Sequence, residues 1–165
     1  MPMTDEQKMI FEYHKHNLIY IGDYIKFADT KAGVALSLNI VLVGFLGMES
    51  RDIGFKNMLL ADVGKYLSLI LLIVSAIFFI WKILWPRYSK DTSLYMSWGG
   101  MGAFSSSNDY LNVISTKNVT EFINDMAVQN YDLAKVATKK YFYLKLGFSF
   151  LSAGAIIGLL SWFFG

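Results

Sequence analysis

Three long runs without a charged side chain decide what this chain can fold into. Residues 32–48 hold 17 residues, 66–81 hold 16 and 146–165 hold 20. A hydrocarbon core of ~30 Å is crossed by roughly 17–25 helical residues rising 1.5 Å each. Lys82 can turn its ammonium toward the interface, which lengthens the second run to Trp85. Only 17% of the 165 residues are charged, against about 25% in soluble domains, and 55% are hydrophobic. The expected fold is an all-α integral membrane protein with three transmembrane helices. About thirty polar or mixed residues precede the first run, unlike a secretory signal, so that run is expected to stay as an anchor.

Orientation follows from the basic residues. Lys8, Lys15, Lys26 and Lys31 precede the first span, and Lys82, Arg87, Lys90, Lys117, Lys135, Lys139, Lys140 and Lys145 lie between the second and third. The loop 49–65 has Arg51, Lys56 and Lys65, offset by Glu49, Asp52 and Asp62. Positive residues favour the cytoplasm. The N-terminus is therefore expected inside and the C-terminus outside, with almost nothing beyond the third span.

The first and third spans are expected to continue as long cytosolic helical stalks. Phe11, Leu18, Ile21, Ile25, Ala28, Ala32, Ala35 and Leu42 recur at coiled-coil spacing, and no proline interrupts them. Val119, Phe122, Ile123, Met126, Leu133, Ala137, Tyr141 and Leu144 share one face of a second stalk, capped by Asn118 or Thr120. Two parallel stalks bring Asp29 and Lys31 level with 139–143. The resulting division is a stalk at 1–31, a span at 32–48, an external loop at 49–65, a span at 66–85, a cytosolic loop at 86–118, a stalk at 119–145 and a span at 146–165. Pro86 ends the second span, and 108–114 is expected to add a short helix.

Catalysis and metal binding find no support. There is no cysteine, His14 and His16 fall on different helix faces, and the three runs hold no ionisable pair. Gly99-Gly100-Met101-Gly102 lacks the Lys-Ser/Thr of a phosphate loop, and no cofactor is implied. Asn118-Val119-Thr120 matches a glycosylation acceptor but lies on the expected cytoplasmic side. Asn39, in mid-span, either bonds a neighbouring helix or, with Ser37 and Gly44, lines a water-filled path. Gly154 and Gly158 form a small-xxx-small pair suited to close helix approach, within the chain or between copies.

Phe27-Ala28-Asp29-Thr30-Lys31-Ala32 opens the first span, and an aromatic second span closes on Trp85-Pro86-Arg87. A glycine and aromatic segment before Asp109-Tyr110-Leu111 leads to Gln129-Asn130-Tyr131, Lys139-Lys140-Tyr141 and the last span. This layout, over about residues 17 to 162, resembles the transmembrane effectors of Pycsar and related bacterial antiphage systems. The resemblance implies a multi-pass protein of the bacterial inner membrane that disrupts it under control of a nucleotide messenger. A neighbouring cyclase or nucleotidyltransferase would make the messenger. On that reading Arg87, Lys90 and Lys117 take phosphate while Trp98 and Phe104 stack on the base, although the aromatics would serve equally to pack the stalks. Asp29, Lys31 and Lys139 would form a gate at the membrane boundary, although Asp29 with Lys26 and Lys31 would serve equally as interfacial anchors. Three helices do not enclose an aqueous path, so a closed homo-oligomer, a tetramer by preference, is expected. The competing reading is a structural adaptor that recruits a cytosolic partner through its stalks.

Overall fold

The computed structural model describes residues 3–50, 60–85 and 95–164, the side chain of Trp98 excepted. Its elements are α1 (Asp5–Glu49), α2 (Leu60–Ile77) running into a π-helix (Phe78–Leu84), α3 (Trp98–Met101), α4 (Ser107–Thr116) and α5 (Val119–Phe164). No strand occurs among the described residues. Of these elements, α1, α5 and the segment Leu60–Leu84 are long and apolar enough to cross a membrane. The first and third are the long ones, at 45 and 46 residues.

Local chemistry starts α1, α4 and α5. Thr4 and Gln7 exchange bonds at the head of α1, with Gln7 N–H donating to Thr4 Oγ1 and Thr4 N–H to Gln7 Oε1. Asn118 and Glu121 do the same for α5, so Asn118 is the cap that the sequence offered beside Thr120. These are reciprocal capping boxes, each satisfying two otherwise orphaned backbone donors. Ser106 caps α4 by accepting from Asp109 N–H at 3.1 Å.

The chain divides into two compact units. A polar unit comprises residues 1–26 and 86–138, and a membrane unit comprises 27–85 and 139–165. In the membrane unit, α1 buries Ala28, Ala32, Ala35, Asn39 and Leu46, spaced by three, four and seven residues. The matching rows are Ser68, Leu72, Ser75, Phe79 and Ile83 on the second helix and Leu144, Leu151 and Ser161 on α5. Heptad spacing of this kind keeps a seam facing its partner along the whole contact.

Small residues set how closely these helices approach. A Cβ on Gly154 would sit 3.2 Å from the Ser68 carbonyl oxygen, and one on Gly158 would sit 2.8 Å from Leu46 Cδ1. At Gly147 it would meet the Phe79 ring at 2.6 Å. Lipid tails are as apolar as leucine, so dispersion and hydrogen bonding at such contacts, rather than expulsion of water, hold the unit together. The glycine pair that the sequence offered for self-association thus packs inside the protomer.

The π-helix widens the second helix at its end. Trp85 N–H reaches back five residues to the Ile80 carbonyl at 2.9 Å. Phe79 and Ile83 fall on the buried face while Trp81 and Trp85 point outward and stack, 6.0 Å between centroids. Pro86, expected to end this helix, lies outside the described residues.

Candidate functional site

In the polar unit, α4 and the first part of α5 frame a small aromatic and charged cluster. Tyr95 is 3% exposed, and its hydroxyl donates to the Asp125 carboxylate. Lys117 Nζ donates to the same carboxylate at 3.1 Å and lies 5.3 Å from the centre of the Tyr95 ring. Phe122 meets that ring edge-on. Burial, then the bond to Asp125, pushes the Tyr95 phenol well above its ordinary value. Lys117, expected to meet phosphate, therefore already has a carboxylate partner.

Phe104 packs edge-on against Tyr110, 5.4 Å between centroids, near the start of α4. The first turn of α4 is occupied by an acid. Asp109 accepts from the Ser105 hydroxyl, and that bond, then the one with Ser106, holds its carboxyl below the usual range. A carboxylate there uses the positive end of the helix that a phosphate would otherwise seek. Arg87 and Lys90 lie outside the described residues, as does the side chain of Trp98.

A pair of adjacent residues on α5 supplies what residue-by-residue reading missed. Asn130 is 7% exposed and its amide donates to the His14 carbonyl of α1 at 2.9 Å, leaving its own Oδ1 without a partner. Gln129 Oε1 is likewise buried and unpartnered. A buried acceptor without a donor costs roughly 1–3 kcal/mol. The available signal was Asn130 standing in the apolar α5 row between Met126 and Leu133.

In the membrane unit the expected gating residues separate. Asp29 pairs with Lys140. Lys139, expected beside Asp29 and Lys31 in the gate, is exposed, because one step along a helix turns the side chain by about 100°. Lys31 lies over the Phe27 ring, 4.2 Å from its centre. The expected path-lining residues separate too. Asn39 is fully buried and donates to the Leu72 carbonyl at 3.0 Å, which is the helix-bonding alternative. Ser37 and Gly44 lie on the exposed side of α1, where Ser37 bonds back to the Gly33 carbonyl. Asn39 therefore does not share a surface with them.

Two serines complete the polar contacts between these helices. Ser68 Oγ donates to the Gly154 carbonyl at 2.6 Å and Ser75 Oγ to the Gly147 carbonyl at 2.8 Å. Among the described residues no group of three or more His, Asp or Glu could hold a metal.

Residues 13–165 match the Pycsar effector protein domain. The chain is also similar to the Pycsar effector protein SaPycTM of Staphylococcus aureus, at 27% identity over 156 residues, which is 90% of this chain and 96% of that protein. No solved structure matches.

Proposed function

The chain belongs to the Pycsar effector family, transmembrane effectors of antiphage defence, and from that premise we propose a homo-oligomeric membrane disruptor under nucleotide control. The messenger is a cyclic nucleotide from a neighbouring cyclase, and its effect is depolarisation and growth arrest. The protein acts without catalysis or a resident cofactor, with its N-terminus in the cytoplasm.

The observation that carries nucleotide control is the pair of buried acceptors at Gln129 and Asn130. A nucleobase edge supplies the N–H donors that both lack, and binding would repay an acceptor's desolvation that the free protein leaves uncompensated. Phosphate is left to cations of the 86–117 region, including Arg87 and Lys90, while Phe104 and Tyr110 offer aromatic faces.

Assembly is supported by the outer side of α1. A Cβ at Gly33, Gly44 or Gly47 would meet nothing within 4 Å. With Ser37 these residues leave the helix surface low, which suits close approach of a second copy in lipid. Conduction would then arise between protomers, with Ser37 and Gly44 at or near the path and Asn39 holding each protomer together.

The test is reconstitution into vesicles holding a self-quenching dye, with addition of the 3′,5′-cyclic monophosphates of adenosine, guanosine, cytidine and uridine in turn. One of them should trigger release, and Gln129→Leu with Asn130→Leu should abolish the response. Release that none of them alters would reject nucleotide control. Exposed Tyr13, Ile19 and Tyr20 on the polar part of α1 favour the adaptor reading instead. That reading is selected if no release occurs under any condition while a cytosolic protein co-purifies.

A further inference from the structure

The charged side chains of the membrane unit are unevenly distributed. Lys31, Lys82, Lys139, Lys140 and Lys145 gather around one end, where Asp29 is the one acid among the described residues and is engaged by Lys140. At the other end Lys65 is paired with Asp62, and Glu49 adds a further negative charge. Lys82 and Lys139 have no carboxylate partner among the described residues.

Lys82 adjoins an aromatic ring of α5, and Lys139 lies on the same face of that helix. Lys82 Nζ lies 5.5 Å from the centre of Tyr143, and Lys139 stands one helical turn before Tyr143 on α5. Large apolar side chains surround them on the exposed surface: Trp81, Trp85 and Phe142 are each more than half exposed. From Lys139 to Trp162 the axis of α5 covers about 34 Å, slightly more than a hydrocarbon core of ~30 Å. Trp162, Phe163 and Phe164, all exposed, mark the far interface, so Lys82, Lys139 and the Trp81–Trp85 stack fall at the near one. The Lys82 stem runs along apolar helix while its ammonium reaches headgroup depth.

We propose that the surface formed by Lys82, Tyr143 and Lys139 binds the phosphate of an anionic phospholipid headgroup in the leaflet at this end. Ammonium groups at headgroup depth with no carboxylate among the described residues find their counter-charge in the lipid. Tyr143 keeps Lys82 in place, and the outward tryptophans pack against the acyl chains of the bound lipid. The site is independent of any messenger and is occupied whether or not a nucleotide is present.

Trp81 and Trp85 make the test direct. The full chain carrying Trp98→Phe and Trp162→Phe is reconstituted in phosphatidylcholine vesicles with a fixed minor fraction of tail-brominated lipid, either phosphatidylglycerol or phosphatidylcholine. Attraction by two lysines enriches the anionic lipid on the order of ten-fold over the zwitterionic one, read as stronger quenching. Lys82→Gln with Lys139→Gln should remove most of the preference, whereas Lys82→Arg with Lys139→Arg and the control Lys135→Gln should keep it. Should the background variant not fold, retention of phosphatidylglycerol by the native chain and its glutamine variant in native mass spectrometry gives the same comparison. Equal quenching in the parent protein, or a preference unchanged in the glutamine variant, would overturn the site. Loss of the preference on adding inorganic phosphate, but not chloride at matched ionic strength, would assign the lysines to a soluble phosphate and also overturn it.

Discussion

The side-chain amide of Asn39 donates to the main-chain carbonyl of Leu72 at 3.0 Å, and neither residue is exposed. A polar residue in the middle of a span thus serves as a pin between α1 and α2. Nearby, the bonds from Ser68 and Ser75 to carbonyls of α5 pin α2 to the third helix. Side-chain-to-backbone bonds are well suited to this environment, since lipid offers neither partner an alternative.

Removing the pin should cost modestly. Asn39→Ala is expected to lower stability in detergent unfolding titrations by roughly 1 kcal/mol, in the range of interhelical bonds in membranes. Asn39→Asp should be worse, because burying the carboxyl requires either the uptake of a proton or an unpaired charge. An Asn39→Ala protein as stable as the parent would show that the pin is not formed.

The glycines should divide by side. Gly158→Ala sets a methyl 2.7 Å from Ser68 Oγ and 2.8 Å from Leu46 Cδ1, so it should destabilise the isolated protomer by about 1–3 kcal/mol. Gly44→Ala meets open space and should leave the protomer unchanged. Gly44→Leu should reduce crosslinked oligomer in native membranes if copies approach along this side of α1. Unfolding titrations and crosslinking on the same samples separate the two effects.

Asp29 and Lys140 invite a charge exchange. Asp29 is 39% exposed, so the pair contributes less than about 1 kcal/mol to stability and its loss should not unfold the protein. Asp29→Asn should instead shift the nucleotide concentration for half-maximal dye release. Asp29→Lys with Lys140→Asp should bring the response back toward the parent value. Lys139→Asp in place of Lys140→Asp should give no such rescue.

The polar unit should lose stability at high pH through Tyr95. Its phenol is raised above the ordinary value by burial and by Asp125, so the neutral form is favoured in the folded state. Its contribution is complete below about pH 10, where unfolded tyrosine ionises, and falls as pH rises further. The stability difference between the parent and Tyr95→Phe should therefore shrink above that pH. A difference that stays constant through the tyrosine range would contradict the assignment.

Much of this architecture is local and so was legible in the residues. The apolar runs fixed which segments could span, because length and missing charge are properties of the run itself. Asn118 stands three residues before Glu121, the acid that completes its capping box, and that pattern needs no tertiary partner. The heptad rows of α1 and α5 likewise follow from spacing alone.

Partner identity was decided only in three dimensions. Spacing groups residues by face but does not say which face meets which helix, and one residue of rotation separates Lys140, paired with Asp29, from exposed Lys139. Ser37 and Asn39, two positions apart, fall on an exposed and a buried side of α1. Gly154 and Gly158 pack within the protomer because α2 carries Ser68 and Leu72 and α1 carries Leu46 at matching heights, whereas Gly44 faces open space. Each of these outcomes depends on residues tens of positions away in the chain, and a helical period carries only the order of side chains around one axis.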